Sequence, residues 1–328
     1  MTINNDDVAT SYLRKYRQSI LIGVVVLCSL VVGGIVGAKL NGSSMRQPLN
    51  AIAVSNPVYR WIKLKQIIAD ETTHSSVAPI KCPTDYKAIA IFGQSNSANR
   101  IERSQGLKNI SDGNTFMWDW TTGLCYPYSE PVVGTDGGYR GNIITSAITG
   151  FRNIDKETNL IIAAFGRGGS SVFSWSHSVQ SIRLDEVIKQ MHAAKIQPSL
   201  FLWHQGESDA IDEIYFQEKL KAYGAEIGMK KMFYEKALDI VFQKVHSAFP
   251  NAHIGLALAS ICKNEGSQEV RAAQKAIQNK YPWVSISSDT DLYGTDFRSD
   301  GCHFNEKAEQ HIANDYKNLI VKTLMAKK

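Results

Sequence analysis

The chain has 328 residues, 44% hydrophobic and 20% charged, with 24 glycines and 9 prolines, which fits an ordinary globular protein and excludes collagen-like and disordered classes. Its 36 Lys and Arg against 31 Asp and Glu leave a net charge of +5 spread along the chain, so no nucleic-acid partner is expected. Five cysteines without a CxxC pair argue against a disulfide-dense miniprotein and against structural zinc, and no metal is expected.

From the amino terminus, Gln18 to Ala38 form 21 uncharged residues, which as a helix rising about 1.5 Å per residue would span roughly 30 Å, one bilayer core. The expected layout is a cytoplasmic tail at 1–18, a transmembrane helix at 19–38, a membrane-proximal stalk at 39–80 and a catalytic domain at 81–328. A cleavable signal peptide is the alternative, but its apolar region usually runs about 7 to 15 residues. Arg14, Lys15 and Arg17 precede the span and only Lys39 and Arg46 closely follow it, so the amino terminus is expected in the cytoplasm and the rest outside. Cys28 lies in the span, and Cys82, Cys125, Cys262 and Cys302 form an even set beyond it. They could form disulfides by any of three pairings, or remain buried thiols.

Within the stalk, Val58, Trp61, Ile62, Lys65 and Ile68 recur at helical spacing. From Cys82 onward, short apolar runs alternate with helical patterns, as in a mostly parallel α/β sheet. The first expected strand, Tyr86 to Phe92, empties into Gly93-Gln94-Ser95-Asn96. Ser95 on this turn could aim its hydroxyl and N–H into a cleft, or simply cap a helix. The second strand, Asn159 to Phe165, leads into Gly166-Arg167-Gly168-Gly169-Ser170-Ser171. This misses the dinucleotide fingerprint at Ser171 and has no Walker lysine, so it reads as a turn or as a source of an oxyanion-binding N–H.

A helix is expected over Asp185 to Ala194, then a strand over Ser199 to Trp203 that ends in Trp203-His204-Gln205-Gly206-Glu207-Ser208-Asp209. Gln205 offers amide protons to a developing oxyanion and Gly206 permits close approach. Glu207 and Asp209 alone would also suit a metal or a glycosidase, and His204, with no acid at DxxH spacing, reads as packing. A long helix follows from Tyr215 to Ala248, a strand at His253 to Ala259, a helix at Gln268 to Asn279 and a strand at Trp283 to Ser288. Asp300-Gly301-Cys302-His303 then precedes a final helix, Asn305 to Ala326. His303 could deprotonate Ser95 while Asp300 sets its tautomer, or Asp300 could cap the helix beside a surface histidine. Five parallel strands covered by helices on both faces would put these segments at one sheet edge.

Together the four segments resemble the SGNH hydrolase superfamily, and within it the sialate O-acetylesterase-like branch of carbohydrate esterases, whose signatures are GQSN, a GG-S/T segment, WxQGExD and DxxH. All four stand in family order across residues 86–315. The resemblance implies a three-layer α/β/α, flavodoxin-like fold with a parallel sheet, and acyl-ester hydrolysis without a metal or cofactor. Carried over by motif, Ser95 is the nucleophile, His303 the base and Asp300 its orienter. The oxyanion donors are the N–H of Ser95, the N–H of Gly168 or Gly169, and Gln205. Gln94, Asn96, Trp175 and Glu207 are expected to contact substrate, with a core position for Trp175 equally open. Gln94 stands where many superfamily members have Asp, and Gln205 where Asn is usual; both are normal for this branch. A Cys262–Cys302 bond would brace the catalytic loop and leave Cys82 with Cys125. The expected protein is a membrane-anchored serine esterase acting on an acetylated glycan. The same acyl-enzyme would also serve an O-acetyltransferase, and the same fold a carbohydrate-binding module without turnover.

Overall fold

The computed structural model describes residues 54–71, 75, 77–138, 140–211 and 229–326, with 229 and 230 by backbone alone. The expected tail and transmembrane helix, the first part of the stalk, and residues 215–228 of the expected long helix lie outside the described residues. Among the described residues no helix is long and apolar enough to cross a membrane. The chain divides into Met1–Ser55, of which only Val54 and Ser55 are described, and a compact unit Asn56–Lys328 to which everything below refers.

That unit opens with α1 (Pro57–Ala69). Asn56 Oδ1 accepts the N–H groups of Val58 (2.9 Å) and Tyr59 (3.1 Å), and Pro57 supplies a preset φ at the first helical position. The helix docks on the later helix Val179–Ala193 through Arg60 and Asp185 at 2.7 Å, and Glu71 just beyond its end pairs with the buried Arg183 at 2.5 Å. Residues 56–71 of the segment read as stalk are thus packed within the unit.

Seven strands form one sheet in the order β3-β2-β4-β1-β5-β6-β7. They are β1 (Lys87–Gly93), β2 (Thr115–Asp119), β3 (Leu124–Pro127), β4 (Leu160–Ala164), β5 (Pro198–His204), β6 (His253–Leu258) and β7 (Val284–Asp289). The five strands expected from sequence are β1, β4, β5, β6 and β7; β2 extends the parallel array, and β3 turns back on β2 as an antiparallel edge. The helices beyond α1 are α2 (Ile143–Arg152), α3 (Val172–His177), α4 (Val179–Ala193), α5 (Glu207–Ile211), α6 (Met229–Ala248), α7 (Gln268–Lys280) and α8 (Glu306–Met325).

The central strands are apolar throughout because both their faces are covered. Side chains alternate across a strand. Ile89 and Ile91 of β1, Ile162 of β4 and Leu200 and Leu202 of β5 therefore share one core with Ile144 and Phe151 of α2 and Ile312 and Tyr316 of α8. On the opposite face Phe92, Phe201 and Trp203 meet Trp175 of α3 and Phe242 of α6, with ring centroids 4.8–6.1 Å apart. Helices on both faces leave the carboxyl edge of the sheet open for loops. Chain order reverses at β1, which lies between β4 and β5, so the carboxyl ends of these three strands form the switch point at which α/β sheets hold their ligands.

Candidate active site

Strand β1 ends at Gly93, whose φ is +127° and whose added Cβ would lie 2.1 Å from the His204 carbonyl oxygen, so only glycine fits against the end of β5. The chain then makes a 3-10 turn, Ser95–Ser97. Ser95 is 5% exposed, and among the described residues neither its hydroxyl nor its N–H has a hydrogen-bonding partner.

His303 arrives from further away than its place after the last strand suggests. Strand β7 is the far edge, and residues 290–303 travel back through two 3-10 turns, Thr290–Leu292 and Thr295–Phe297, before α8 begins. Arg298 staples this loop: its guanidinium donates to the carbonyls of Tyr293 (2.9 Å), Thr290 (3.2 Å) and Cys302 (2.6 Å) and lies 4.3 Å from the Phe304 ring centroid. The Cys262–Cys302 disulfide ties the loop to the segment after β6, and Cys82–Cys125 is the second bond. Asp300 Oδ1 accepts the N–H of Cys302 (3.0 Å) and of His303 (2.8 Å), while Oδ2 lies 2.6 Å from His303 Nδ1. Partial burial raises the Asp300 carboxyl, but the backbone N–H and ring of His303 and the Cys302 N–H outweigh it and hold it at about 2. Asp300 is therefore an ionised acceptor for the imidazole at neutral pH.

Asn96 brings these two pieces together. Its Nδ2 donates to the Cys302 carbonyl (3.2 Å) and its Oδ1 accepts the Phe304 N–H (3.4 Å), so the residue after Ser95 grips both neighbours of His303. No hydrogen bond joins the Ser95 hydroxyl to the His303 ring.

The glycine segment after β4 lies against the same turn. The Arg167 N–H donates to the Gly93 carbonyl at 2.9 Å, and a Cβ on Gly166 would meet Ser97 Oγ at 2.3 Å. Its two candidate donors differ. Gly168 gives its N–H to Asp136 Oδ2 (3.0 Å), whereas the N–H of Gly169 has no partner among the described residues. Gly169 also takes φ +66°, with nothing within 4 Å of where a Cβ would stand.

Several expected contacts are made inside the protein. Gln205 is fully buried, and its amide protons face Asp209 Oδ2, the Ser170 carbonyl (3.2 Å) and Gln94 Oε1 (3.4 Å). Its oxygen accepts from Tyr234 (3.0 Å), so as an oxyanion donor it would have to release one of these acceptors. The four residues expected to contact substrate are not on a reachable surface; Gln94, Asn96, Trp175 and Glu207 are each 2% exposed or less. Gln94 Oε1 accepts the N–H of Ser208 (2.9 Å) and of Gly206 (3.3 Å), joining the turns after β1 and β5. Trp175 is a core ring whose Nε1–H donates to Ser170 Oγ at 2.8 Å. Glu207 Oε1 accepts from Asn96 Nδ2 (2.7 Å) and faces His204 Nε2 (3.1 Å), whose Nδ1 meets the Tyr316 hydroxyl (3.1 Å). Burial raises the Glu207 carboxyl, but His204, Asn96 and its own backbone N–H hold it down to about 2.

Three residues not read as functional from sequence border the glycine loop. Asp136 Oδ2, besides holding Gly168, lies 3.6 Å from Arg100 Nη2 and 3.7 Å from Arg167 Nε. Both arginine side chains are about one-third exposed, at 33% and 31%, and neither guanidinium makes a hydrogen bond to a described residue. Arg167 stood inside the quoted glycine motif, and the Gly134-Thr135-Asp136-Gly137-Gly138 turn was a second glycine-rich signal. Among the described residues no group of His, Cys, Asp and Glu is placed to hold a metal ion.

A mostly parallel sheet covered by helices on both faces, matched by the family model below, is the scaffold of a carboxylic ester hydrolase. The chain belongs to the carbohydrate esterase family of sialic acid-specific acetylesterases, whose model matches residues 145–322, more than half of its length. The Ser95 turn lies before the matched segment. Among solved structures, one from Arabidopsis thaliana is 16% identical, with 72% of this chain and 98% of that one covered at a TM-score of 0.53. A carbohydrate acetylesterase from Xanthomonas citri is 12% identical, with 74% and 57% covered at 0.49. A carbohydrate esterase family 3 protein from Talaromyces cellulolyticus is 10% identical, with 74% and 100% covered at 0.44. No curated protein matches the chain by sequence.

Proposed function

We propose that this protein is a membrane-anchored serine esterase that hydrolyses an O-acetyl ester on an acidic sugar through an acetyl-enzyme. The observation that carries the reading is the Asp300–His303 contact of 2.6 Å on a loop gripped by the residue after Ser95. Ser95 Oγ attacks the acetyl carbonyl carbon as His303 Nε2 takes its proton, and Asp300 holds the opposite ring nitrogen. This transfer needs Ser95 within hydrogen-bond reach of the ring, a contact that tightens when substrate fills the crevice. The unpartnered N–H groups of Ser95 and Gly169 stabilise the tetrahedral oxyanion, Gly168 being committed to Asp136. Collapse breaks the bond to the sugar oxygen, which receives the proton from His303. Water, deprotonated by the same ring, then releases acetate and restores Ser95.

Arg100 and Arg167 support the acidic sugar: two partly exposed guanidiniums beside the glycine loop, which face Asp136 but make no hydrogen bond to a described residue, suit a carboxylate, which a forked guanidinium binds at two points. Two disulfides suit a domain facing an oxidising compartment, as expected if residues 19–38 cross a membrane with the amino terminus inside. Acetate release by the detergent-solubilised full chain from O-acetylated sialosides and from an acetylated neutral sugar tests the chemistry. Ser95→Ala should lose about 10³-fold or more in kcat. Arg167→Ala should raise KM about tenfold on the acidic substrate alone. An active Ser95→Ala protein would remove the assignment of the nucleophile, and equal KM changes on both substrates would remove the acidic sugar. Protease added outside intact cells should digest the domain; a fully protected domain would reverse the topology.

A further inference from the structure

We infer that Glu207, His204 and Asn96 form a buried positioning brace that fixes the His303 loop against the Ser95 turn, not a substrate-binding surface. The inference rests on the esterase reading above, since it assigns what holds that site's base and nucleophile in register.

The brace is a continuous chain of contacts. Tyr316 on α8 meets His204 Nδ1 (3.1 Å), His204 Nε2 meets Glu207 Oε1 (3.1 Å), and Asn96 Nδ2 donates to that same oxygen (2.7 Å). Asn96 then reaches the Cys302 carbonyl and the Phe304 N–H, which flank His303. Every member is 1% exposed or less, so no sugar atom reaches them. The amide of Asn96 has one workable orientation, because only its N–H₂ end can serve both the carboxylate and the Cys302 carbonyl. Glu207 therefore decides which way Asn96 faces, and Asn96 decides where the two residues around His303 sit.

The choice of a carboxylate is informative. Glu207 is fully buried and its second oxygen, Oε2, has no hydrogen-bond partner among the described residues, so the carboxylate is held there at a desolvation cost. In return an ionised acceptor binds the Asn96 amide and the His204 ring more strongly than a neutral one. A site that only filled space would not need the charge. A catalytic geometry held to a fraction of an ångström does, because misplacement by about 1 Å can lower the rate about 10²-fold.

The test compares Glu207→Gln, Asn96→Ala and the double variant in the full chain, with thermal melts to show that each is folded. Turnover is read with acetylated substrate, and the activation of Ser95 is read separately by its labelling rate with diisopropyl fluorophosphate, which needs the base but no sugar subsite. Glu207→Gln should lower kcat and the labelling rate together by about 10²-fold, with KM within about twofold of wild type. The double variant should be no slower than Asn96→Ala alone, because both act through one chain. A raised KM with kcat retained would make Glu207 a substrate contact and overturn the brace. Unchanged kcat and labelling with a lower melting temperature would reduce it to fold stability, and multiplying losses would show two independent roles. Ser95→Ala measured in parallel separates the two readings: an active Ser95→Ala protein sinks the nucleophile assignment, whereas an inactive one beside a fully active Glu207→Gln sinks only the brace.

Discussion

Removing the Cys262–Cys302 bond as the double variant Cys262→Ser/Cys302→Ser, with Cys82–Cys125 intact, isolates what the bond contributes to the base loop. The two cysteines are 40 residues apart in sequence. Closing a loop of that length in the unfolded chain corresponds to about 4 kcal/mol at 25 °C in the chain-entropy account. A domain with an ordinary reserve of about 5–15 kcal/mol would remain folded without it. The loop would also keep its other ties: the Lys263 N–H donates to the Gly301 carbonyl at 2.8 Å, and Cys302 still accepts from Asn96 and Arg298. The expected outcome is therefore a loss of about 4 kcal/mol in urea unfolding followed by tryptophan fluorescence, with kcat reduced about tenfold rather than abolished well below the melting temperature. The reasoning fails if stability changes by under about 1 kcal/mol and kcat is that of wild type.

Gly206→Ala should cost about 3 kcal/mol or more and yield little soluble protein, because φ is +152° and the new Cβ would sit 1.9 Å from the Ala259 carbonyl oxygen; wild-type yield and melting would contradict this. Glu207, held at about 2 against an ordinary 4.5, contributes stability that is present above pH 4.5 and lost as pH falls toward 2. Unfolding of wild type and Glu207→Gln across pH 7 to 2 should therefore converge from a gap of about 3 kcal/mol, and parallel curves would show that the charge contributes nothing. Trp175→Phe keeps most of the core volume, so stability should fall by less than about 1.5 kcal/mol. It removes the N–H that Ser170 Oγ accepts and leaves that hydroxyl held only by the Arg167 carbonyl (2.7 Å) and the Gly93 carbonyl (3.4 Å) beside the glycine loop, so kcat should fall severalfold without a change in KM; an increase in KM alone would return Trp175 to the substrate surface.

Strands β1, β4, β5 and β6 were legible because each is buried nearly throughout and reads as a mostly apolar run, as LIIAA does in β4, whereas β7, VSISSD at the far edge, was legible from its short run after Trp283. Strands β2 and β3 were not, being short elements of 5 and 4 residues near one edge of the sheet, joined by a tight turn in which Asp119 accepts from Thr121 and Thr122. Helix α2 was hidden by its own residues, since IITSAITGFR is rich in β-branched side chains and contains Gly150. Packing against α8 overrides that weak propensity. The motif segments were legible as residues placed at one sheet edge, because turns after parallel strands always gather there. Which atoms of those residues face outward was not. Period and spacing place a side chain on an edge but do not say whether its hydrogen bonds are spent within the protein.

That distinction reshapes the candidate site. The polar side chains of the GQSN and WHQGESD segments look from sequence like a set of groups waiting for substrate. In the fold Gln94 binds the backbone after β5, Gln205 binds Asp209 and Ser170, and Glu207 binds His204 and Asn96. Their joint product is a rigid floor in which the turn after β1 is locked to the turn after β5 and, through Asn96, to the His303 loop. A buried polar network of this kind is stable only when nearly every member is satisfied, which leaves it little capacity to read a ligand. On the proposed reading, recognition then falls to groups outside that network: the backbone N–H of Ser95 and of Gly169, which have no hydrogen-bond partner among the described residues, and the partly exposed guanidiniums of Arg100 and Arg167, which face Asp136. If the proposed esterase mechanism holds, the motif residues account for the precision of the chemistry, and the arginines around Asp136 are where substrate choice can vary without disturbing it.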